Sequence, residues 1–187
     1  MMGSRVMDVG FRTRIIFGTC VGVILLLVVW VFYVMLPRNS LVIDEVNYND
    51  EHRECLALNV YFEARNQSIM GQMAVAHVTL NRVYDKRFPK TICGVVKQGK
   101  YYGNSPRRDK CQFSFWCDGR SDKPKNIPAW NNAKKIANHV LNNHSKTNQD
   151  VTHGALYYHA TYVKPDWSKF NLEHSITIGD HIFYRTK

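Results

Sequence analysis

The sequence lacks the motifs of two common kinds of zinc protein. It contains no H-E-x-x-H stretch, the helical motif in which two histidines hold the zinc of many metallopeptidases. Structural zinc sites usually need C-x2–4-C pairs, and the shortest cysteine spacing here, from Cys111 to Cys117, is wider than that. We therefore expect no catalytic metal and no cofactor.

Charged side chains are absent from Ile15 to Leu36. A helix of this length crosses roughly 30 Å of hydrocarbon, so a transmembrane helix is predicted. Three arginines and one aspartate precede it, and the positive-inside rule then places residues 1–14 in the cytoplasm. No A-x-A cleavage pattern follows the apolar segment, which favours a retained signal anchor over a cleaved signal peptide.

The remaining chain suits a tether and one domain. Residues 37–53 are polar and acidic and show no clean periodicity, so they are interpreted as a tether. Residues 54–187 are long enough to bury one core and are interpreted as one folded domain. The predicted topology is a single-pass protein of the inner (cytoplasmic) membrane, with this domain on the periplasmic or extracytoplasmic side.

A basic charge excess favours a polyanionic partner. Residues 1–38 carry four arginines and one aspartate; without them the chain's 25 basic and 15 acidic residues fall to 21 and 14, a net charge of +7. Outside a bacterial membrane, peptidoglycan with its peptide carboxylates is such a polymer. The basic stretch 107–110 near Tyr101 resembles a nucleic-acid patch, but a solvated loop is the simpler interpretation, and export argues against nucleic acid.

Acidic residues are scarce early in the domain, where Glu63 is the only one between Glu54 and Asp85. Its neighbours Val60 and Phe62 are apolar, so ionising its carboxyl costs solvation. We expect its pKa to be raised, which lets it hold a proton near neutral pH. Cleavage of a glycosidic bond requires such a general acid. The alternative is a structural carboxylate bonded to backbone amides.

The residue pattern predicts an α+β fold. Residues 54–65 and 69–83 have helical periodicity, with Ser68 capping the second helix. Thr91 is expected to cap a short helix that extends through Val96, and Pro128 starts another helix that extends to about residue 142.

The rest of the domain is predicted to be loop and sheet. Residues 99–125, rich in glycine, proline, serine and charge, are predicted to form a long loop. Residues 155–160 are predicted to be a strand, and residues 175–186 a hairpin that turns at Gly179-Asp180. The expected result is a helical body with a small antiparallel sheet.

Several separated motifs carry a family resemblance. YFEAR at 61–65 is followed by GQ at 71–72, AVA at 74–76, LNRV at 80–83, FPKTICGVV at 88–96, CQFSF at 111–115 and YHA at 158–160. In this order they resemble the SleB/CwlJ cell-wall hydrolase family over roughly residues 54–187. The resemblance implies a lysozyme-like helical lobe and a peptidoglycan-cleaving glycosidase of the lytic transglycosylase kind, with Glu63 as its single catalytic glutamate.

Further site residues are predicted beside that glutamate. Gln112 and Ser114 are candidates for binding sugar hydroxyls or an N-acetyl group, and Phe113 (or the nearby Phe115) for stacking on a sugar face. The alternative for this segment is a loop anchor. The family also has a Tyr-His pair where Tyr158 and His159 stand, which implies a role in the cleft, against the alternative of inward strand positions.

Two other functions remain open at this point. Hydrolysis by a muramidase-type enzyme requires a second carboxylate, and Asp118, Asp166, Glu173 and Asp180 are available. A peptidoglycan-binding module without activity would need none of this chemistry. A cellular wall-remodelling enzyme and a phage lysis protein fit the sequence equally.

The domain holds an even number of cysteines, Cys55, Cys93, Cys111 and Cys117. On the exported side this number predicts two disulfides rather than a metal site. Four cysteines allow three pairings, and the sequence does not choose among them.

Overall fold

The computed structural model describes residues 25–32, 49–144, 149–169 and 171–187. Contacts divide the chain into the compact units Met1–Val46 and Asn47–Lys187. In the first unit, residues 25–32 are helical and exposed. Among the described residues, no helix has both the length and the apolar character to cross a membrane. The predicted anchor (15–36) and tether (37–53) lie mostly outside the described residues.

Four helices form the body of the second unit: α1 is Asp50–Ala64, α2 is Ile69–Tyr84, α3 is Ile92–Val96 and α4 is Ile127–Asn143. Each helix is capped by a side chain that accepts a hydrogen bond from the backbone N–H three residues further along the chain. The capping residues are Asn49, Ser68, Thr91 and Asn126 in turn. The caps predicted at Ser68 and Thr91 are confirmed.

The first helix starts earlier than predicted, at Asp50 rather than residue 54. The side chain of Asn49 accepts from His52 N at 2.9 Å, and Asp50 and Glu51 lie in the first turn, where carboxylates interact favourably with the helix dipole. Residues 50–53 are all polar and add nothing to an apolar stripe, so the hydrophobic periodicity did not include them. The capping chemistry, rather than the hydrophobic pattern, sets this boundary.

The helices enclose the main apolar core. Leu56 and Val60 of α1, Leu80 of α2 and Val140 of α4 are fully buried in it. Alanines at 76, 133 and 137 are also fully buried and let the helices approach closely. This packing fixes α1, the helix that carries Glu63.

A two-stranded hairpin occupies part of the segment predicted to be a loop. Strand β1, Gly99–Tyr102, pairs antiparallel with β2, Ser105–Cys111, so the loop prediction for 99–125 is wrong over these residues. Nearly every side chain of the two strands is exposed, so the alternation that identifies a half-buried strand is missing. A short 3-10 helix, Ser114–Cys117, follows the hairpin.

The second sheet has three antiparallel strands: β3 is Tyr157–Ala160, β4 is Leu172–Ile178 and β5 is His181–Thr186, in the order β3-β5-β4. The predicted hairpin with a two-residue turn at Gly179-Asp180 is confirmed. Phe183 in the central strand is fully buried against Ala74 and Val78 of α2, which attaches the sheet to the helices. The α+β class predicted from the sequence is therefore confirmed.

Two disulfides form, and the structure selects the pairing. Cys55 of α1 is bonded to Cys93 of α3, across a sequence separation of 38. Cys111 is bonded to Cys117, across a separation of 6, and joins the end of β2 to the 3-10 helix. The first disulfide joins two helices of the core, and the second closes a local loop.

A buried histidine makes the domain sensitive to acid. His77 of α2 is 1 % exposed, and its Nδ1 lies 3.2 Å from Nδ1 of His144 and 3.8 Å from an Asp150 oxygen. Burial lowers the pKa of His77 to about 4 despite the attraction of Asp150, so the ring is neutral at pH 7. The 3.8 Å approach is therefore not an ion pair at that pH.

We expect the stabilising effect of neutral His77 to be complete above pH 6.5 and to be lost as the pH falls towards 4. The unfolded chain takes up a proton in that window and the folded chain does not, which lowers the free energy of unfolding by up to roughly 3 kcal/mol. Urea unfolding at pH 7 and pH 4.5 measures this. His77→Gln should reduce the pH dependence and His174→Gln, at an exposed site, should not; equal slopes would contradict the assignment.

Candidate active site

Glu63 lies at the end of α1, one residue before the helix ends at Ala64. Its side chain is half-buried, and the last turn of α1 contains no basic residue. The carboxyl therefore lies at the negative end of the helix dipole without a neighbouring cation in that turn, which disfavours its ionised form. The core packing of α1 holds it in this position.

The phenol of Tyr158 is the hydrogen-bond partner of Glu63. Its hydroxyl donates to Glu63 Oε2 at 3.1 Å. The ring packs against His181 and Phe183 of β5, with centroids 5.2 and 5.6 Å away. Burial and the nearby Glu63 raise the pKa of Tyr158 well above its ordinary value, so the phenol stays protonated.

Burial raises the pKa of Glu63, while the Tyr158 hydrogen bond and the Arg82 charge act in the opposite direction. The raised pKa expected from the sequence is thus confirmed. In the part of the chain that the structure describes, the carboxyl accepts its hydrogen bond from a phenol and none from backbone amides. This differs from the structural carboxylate considered as the alternative.

Replacing Tyr158 by phenylalanine is expected to raise the pKa of Glu63 further, because the hydrogen bond that favours the ionised form is removed. If Glu63 must be protonated to act, the alkaline limb of the pH profile of kcat/KM should move to higher pH. Tyr184→Phe is the matched control, since that hydroxyl contacts His159 and not Glu63. A limb that stays in place or moves to lower pH would contradict this role.

A cleft of about 170 Å³ opens at Glu63. The α1–α2 junction forms one side, with Phe62, Glu63, Arg65, Asn66 and Gln67, and the other side is formed by Ala160, Tyr162, Asp180 and His181. The cleft therefore lies where the helical body meets the tip of the sheet.

Gln67 connects the two sides of the cleft. Its Nε2 donates to Asp180 Oδ2 at 3.1 Å, and Asp180 N donates to its Oε1 at 3.2 Å. The turn residue Gly179 has φ +56°, and a Cβ added there would lie 2.6 Å from Gln67 Oε1. Glycine thus permits both the turn and the contact.

The structure separates the two halves of the predicted Tyr-His pair. Successive strand residues point to opposite faces, so Tyr158 reaches Glu63 and His159 does not. His159 Nε2 lies 3.0 Å from the Tyr184 hydroxyl, and its ring packs edge-on against Trp167.

The other predicted site residues lie away from the cleft. Gln112 is exposed and lines a second cavity of about 510 Å³, together with Arg82, Tyr157, Tyr158, Trp167 and Leu172. Phe113 is only 2 % exposed, and its ring centroid lies 5.2 Å from Cζ of Arg82. It therefore has no free face on which a sugar could stack. Ser114 is exposed at the start of the 3-10 helix.

Sequence reasoning missed Gln67, Tyr162 and His181 as cleft residues, and it named Asp180 only as one of four available carboxylates. Asp180 is the member of that set that lines the cleft with Glu63. Burial lowers the pKa of His181, so its ring is neutral at pH 7, and its buried Nδ1 has no partner among the described residues. Within those residues, no group of three or more His, Cys, Asp or Glu side chains is placed to hold a metal ion.

The fold and sequence are similar to those of solved bacterial proteins. The catalytic domain of SleB from Bacillus cereus aligns with a TM-score of 0.54 and 30% identity, over 74% of this chain and 94% of that one. The catalytic domain of the germination-specific lytic transglycosylase SleB from Bacillus anthracis aligns with a TM-score of 0.55 and 29% identity, over 75% and 98%.

Curated relatives are longer than this chain. It is 32% identical over 154 residues to a spore cortex-lytic enzyme of Bacillus cereus, an alignment that covers 79% of this chain and 49% of the relative. A spore cortex-lytic enzyme of Halalkalibacterium halodurans is 29% identical, over 73% and 35%. The chain thus spans about half the length of these relatives or less.

A family model described as Cell Wall Hydrolase matches residues 66–184, beginning just after Glu63. That range covers more than half of the chain and includes both sides of the cleft at Gln67 and Asp180. Together with the aligned SleB domains, this match places the chain in the cell wall hydrolase family of the SleB/CwlJ type.

Proposed function

We propose that this protein is a membrane-anchored peptidoglycan lytic transglycosylase that cleaves MurNAc–GlcNAc β-1,4 bonds with Glu63 as its single catalytic acid and base. The observation that carries the proposal is the half-buried Glu63 carboxyl with a raised pKa, bonded to a protonated phenol in an open cleft. The helical body around this cleft supports the lysozyme-like lobe that the family resemblance implies.

The cleavage needs one carboxyl group in two protonation states. Protonated Glu63 gives its proton to the glycosidic oxygen as the bond from that oxygen to the anomeric carbon breaks. The resulting carboxylate, still bonded to the Tyr158 hydroxyl, takes the proton from the 6-hydroxyl of the same MurNAc. That oxygen bonds to the anomeric carbon and leaves a 1,6-anhydro end. The nucleophile belongs to the substrate, so it is held close to its target without a protein nucleophile.

Hydrolysis is the second candidate, and one observation favours it. Asp180 lines the same cleft as Glu63, so a second carboxylate is available to activate water. Its hydrogen bonds to Gln67 hold it at the tip of the β4–β5 hairpin.

Product analysis separates the two reactions. Purified walls digested by the protein should yield muropeptides with 1,6-anhydro ends in mass spectra, and Asp180→Asn should keep activity within a few-fold. Reducing ends together with a loss of about 10²-fold or more in Asp180→Asn would assign hydrolysis instead. A protein that binds insoluble walls and releases no muropeptides would be a binding module.

The membrane anchor is proposed from the sequence. The uncharged segment 15–36 and the arginines before it support a single span with the catalytic domain on the periplasmic or extracytoplasmic side. This topology gives the domain access to peptidoglycan and keeps it from nucleic acid. Extraction of the full chain from membranes by detergent but not by carbonate would support it, and release by carbonate would argue against it.

A further inference from the structure

Arg82 is a buried cation with an unused donor. Its side chain is 5 % exposed, and Nε donates to Leu156 O at 2.8 Å. Within the part of the chain that the structure describes, Nη1 has no hydrogen-bond partner, and no carboxylate lies within ion-pair distance of the guanidinium. Buried charges in proteins are normally paired, so this arrangement requires an explanation.

The groups around the guanidinium do not supply that partner. The ring centroids of Phe88, Phe113 and Tyr157 lie 5.3, 5.2 and 6.0 Å from Cζ of Arg82. The face of an aromatic ring attracts a cation, but it does not replace an acceptor in the plane of the guanidinium. Glu63 attracts Arg82 at longer range, but burial favours its protonated form. An arginine keeps its charge in such surroundings. The described residues therefore leave the cation without a bonded anion.

The unpartnered cation is part of the wall of the larger cavity. That cavity, about 510 Å³, has Arg82, Tyr157 and Leu172 among its lining residues, and Gln112 and Trp167 at its exposed edge. Tyr158 lines it as well and donates its hydroxyl to Glu63. The Tyr158–Glu63 hydrogen bond thus links the wall of this cavity to the wall of the cleft at Glu63.

We propose that this cavity is a binding subsite for a carboxylate carried by the glycan, with the Arg82 guanidinium as the anion-binding group. Arginine is suited to this role because it keeps its charge when buried and forms strong, charge-assisted hydrogen bonds to carboxylate oxygens. Trp167, 42 % exposed, provides an aromatic face for the attached sugar, and the Gln112 amide lies at the edge. The proposal rests on peptidoglycan as the substrate, in which the carboxylate comes from the lactyl group or from the stem peptide.

Paired ligands test the carboxylate directly. Isothermal titration calorimetry of the full chain is carried out with N-acetylmuramic acid and with its methyl ester, two ligands that differ in the charge of the carboxyl group. The acid is expected to bind at least ten-fold more tightly than the ester. N-acetylmuramoyl-L-alanine and its methyl ester form the second arm, and the arm with the larger acid-to-ester ratio identifies the source of the carboxylate.

Variants locate the effect in the cavity. Arg82→Met should abolish the preference for the acid and Arg82→Lys should retain part of it. Because a change at a buried residue can unfold the domain, Gln112→Glu provides a second variant that adds a negative charge at the exposed edge. It should lower the affinity for the acid several-fold more than that for the ester, whereas Gln149→Glu, exposed and outside the cavity, should change neither. Trp167→Ala should weaken both ligands equally.

Three outcomes would overturn the subsite: equal affinity for acid and ester, no saturable binding of either acid, or a preference unchanged in both Arg82→Met and Gln112→Glu. The test is independent of the catalytic role of Glu63. A preference that persists in Glu63→Gln while that variant still digests walls would keep the subsite and reject the proposed catalyst. An inactive Glu63→Gln, together with no preference for the acid in the wild type, would keep Glu63 as the proposed catalyst and reject the subsite.

Discussion

Replacing Glu63 by glutamine is expected to lower the rate of peptidoglycan cleavage by about 10³-fold, the size typical of losing a general acid–base group. Glutamine keeps the shape of the side chain and can still accept a hydrogen bond from Tyr158, but it has no proton to give at the glycosidic oxygen. Release of soluble muropeptides from purified walls measures the rate. Glu54→Gln, at an exposed position on the same helix, is the matched control and should remain active.

The stability of the same variant tests the raised pKa independently of catalysis. The folded state holds the Glu63 proton above its ordinary pKa of 4.5, so its stabilising effect is complete below pH 4.5 and is lost as the pH rises through the folded pKa. Glu63→Gln should therefore become more stable relative to the wild type as the pH increases from 4.5. An inactive variant with an unchanged fold would assign the loss to chemistry, whereas near wild-type cleavage would reject Glu63 as the catalyst.

Removing the Cys55–Cys93 disulfide is expected to have the largest effect on stability. From the loop-closure entropy of the unfolded chain, we expect the free energy of unfolding to fall by about 4 kcal/mol for its sequence separation of 38. The expected fall is about 2 kcal/mol for the separation of 6 at Cys111–Cys117. For a domain of this size such a loss is a large part of the total free energy of unfolding.

The two double variants, Cys55→Ser with Cys93→Ser and Cys111→Ser with Cys117→Ser, form a matched pair. Urea unfolding of each at neutral pH gives the two free energies directly. The first variant should also lose more activity on walls, since α1 carries both Cys55 and Glu63. Equal losses, or a larger loss at the short loop, would contradict the ranking.

Local chemistry was enough to predict most elements of the fold. Ser68 and Thr91 mark helix starts because their hydroxyls accept the otherwise unsatisfied N–H groups of the first turn. Gly179-Asp180 marks a tight hairpin because its first residue has to adopt a positive φ. The β1–β2 hairpin gave no such signal, because its exposed strands place no alternating apolar side chains against a core.

Two residues of the candidate site were predicted from the sequence, Glu63 from its apolar neighbours and Tyr158 from the family resemblance, and the structure brings them together. Glu63 was found because a lone carboxyl among apolar neighbours has an energetic consequence that can be derived without coordinates. Asp180 and Gln67 are 113 positions apart, and their contact depends on where the sheet attaches to the helices. Phe113 was predicted to stack on a sugar, but its ring is buried next to Arg82, and its sequence neighbours do not indicate this burial.

The strand order affects when a new chain can become active. β5 lies between β3 and β4 but follows both along the sequence, and its Phe183 pairs directly with Tyr158. Until residues through Thr186 have left the ribosome, the helices can assemble, but Tyr158, whose hydroxyl donates to Glu63, has no β5 strand beside it. A protease that removed the segment after Gly179 would have the same effect and would also take Asp180 and His181 from the wall of the cleft.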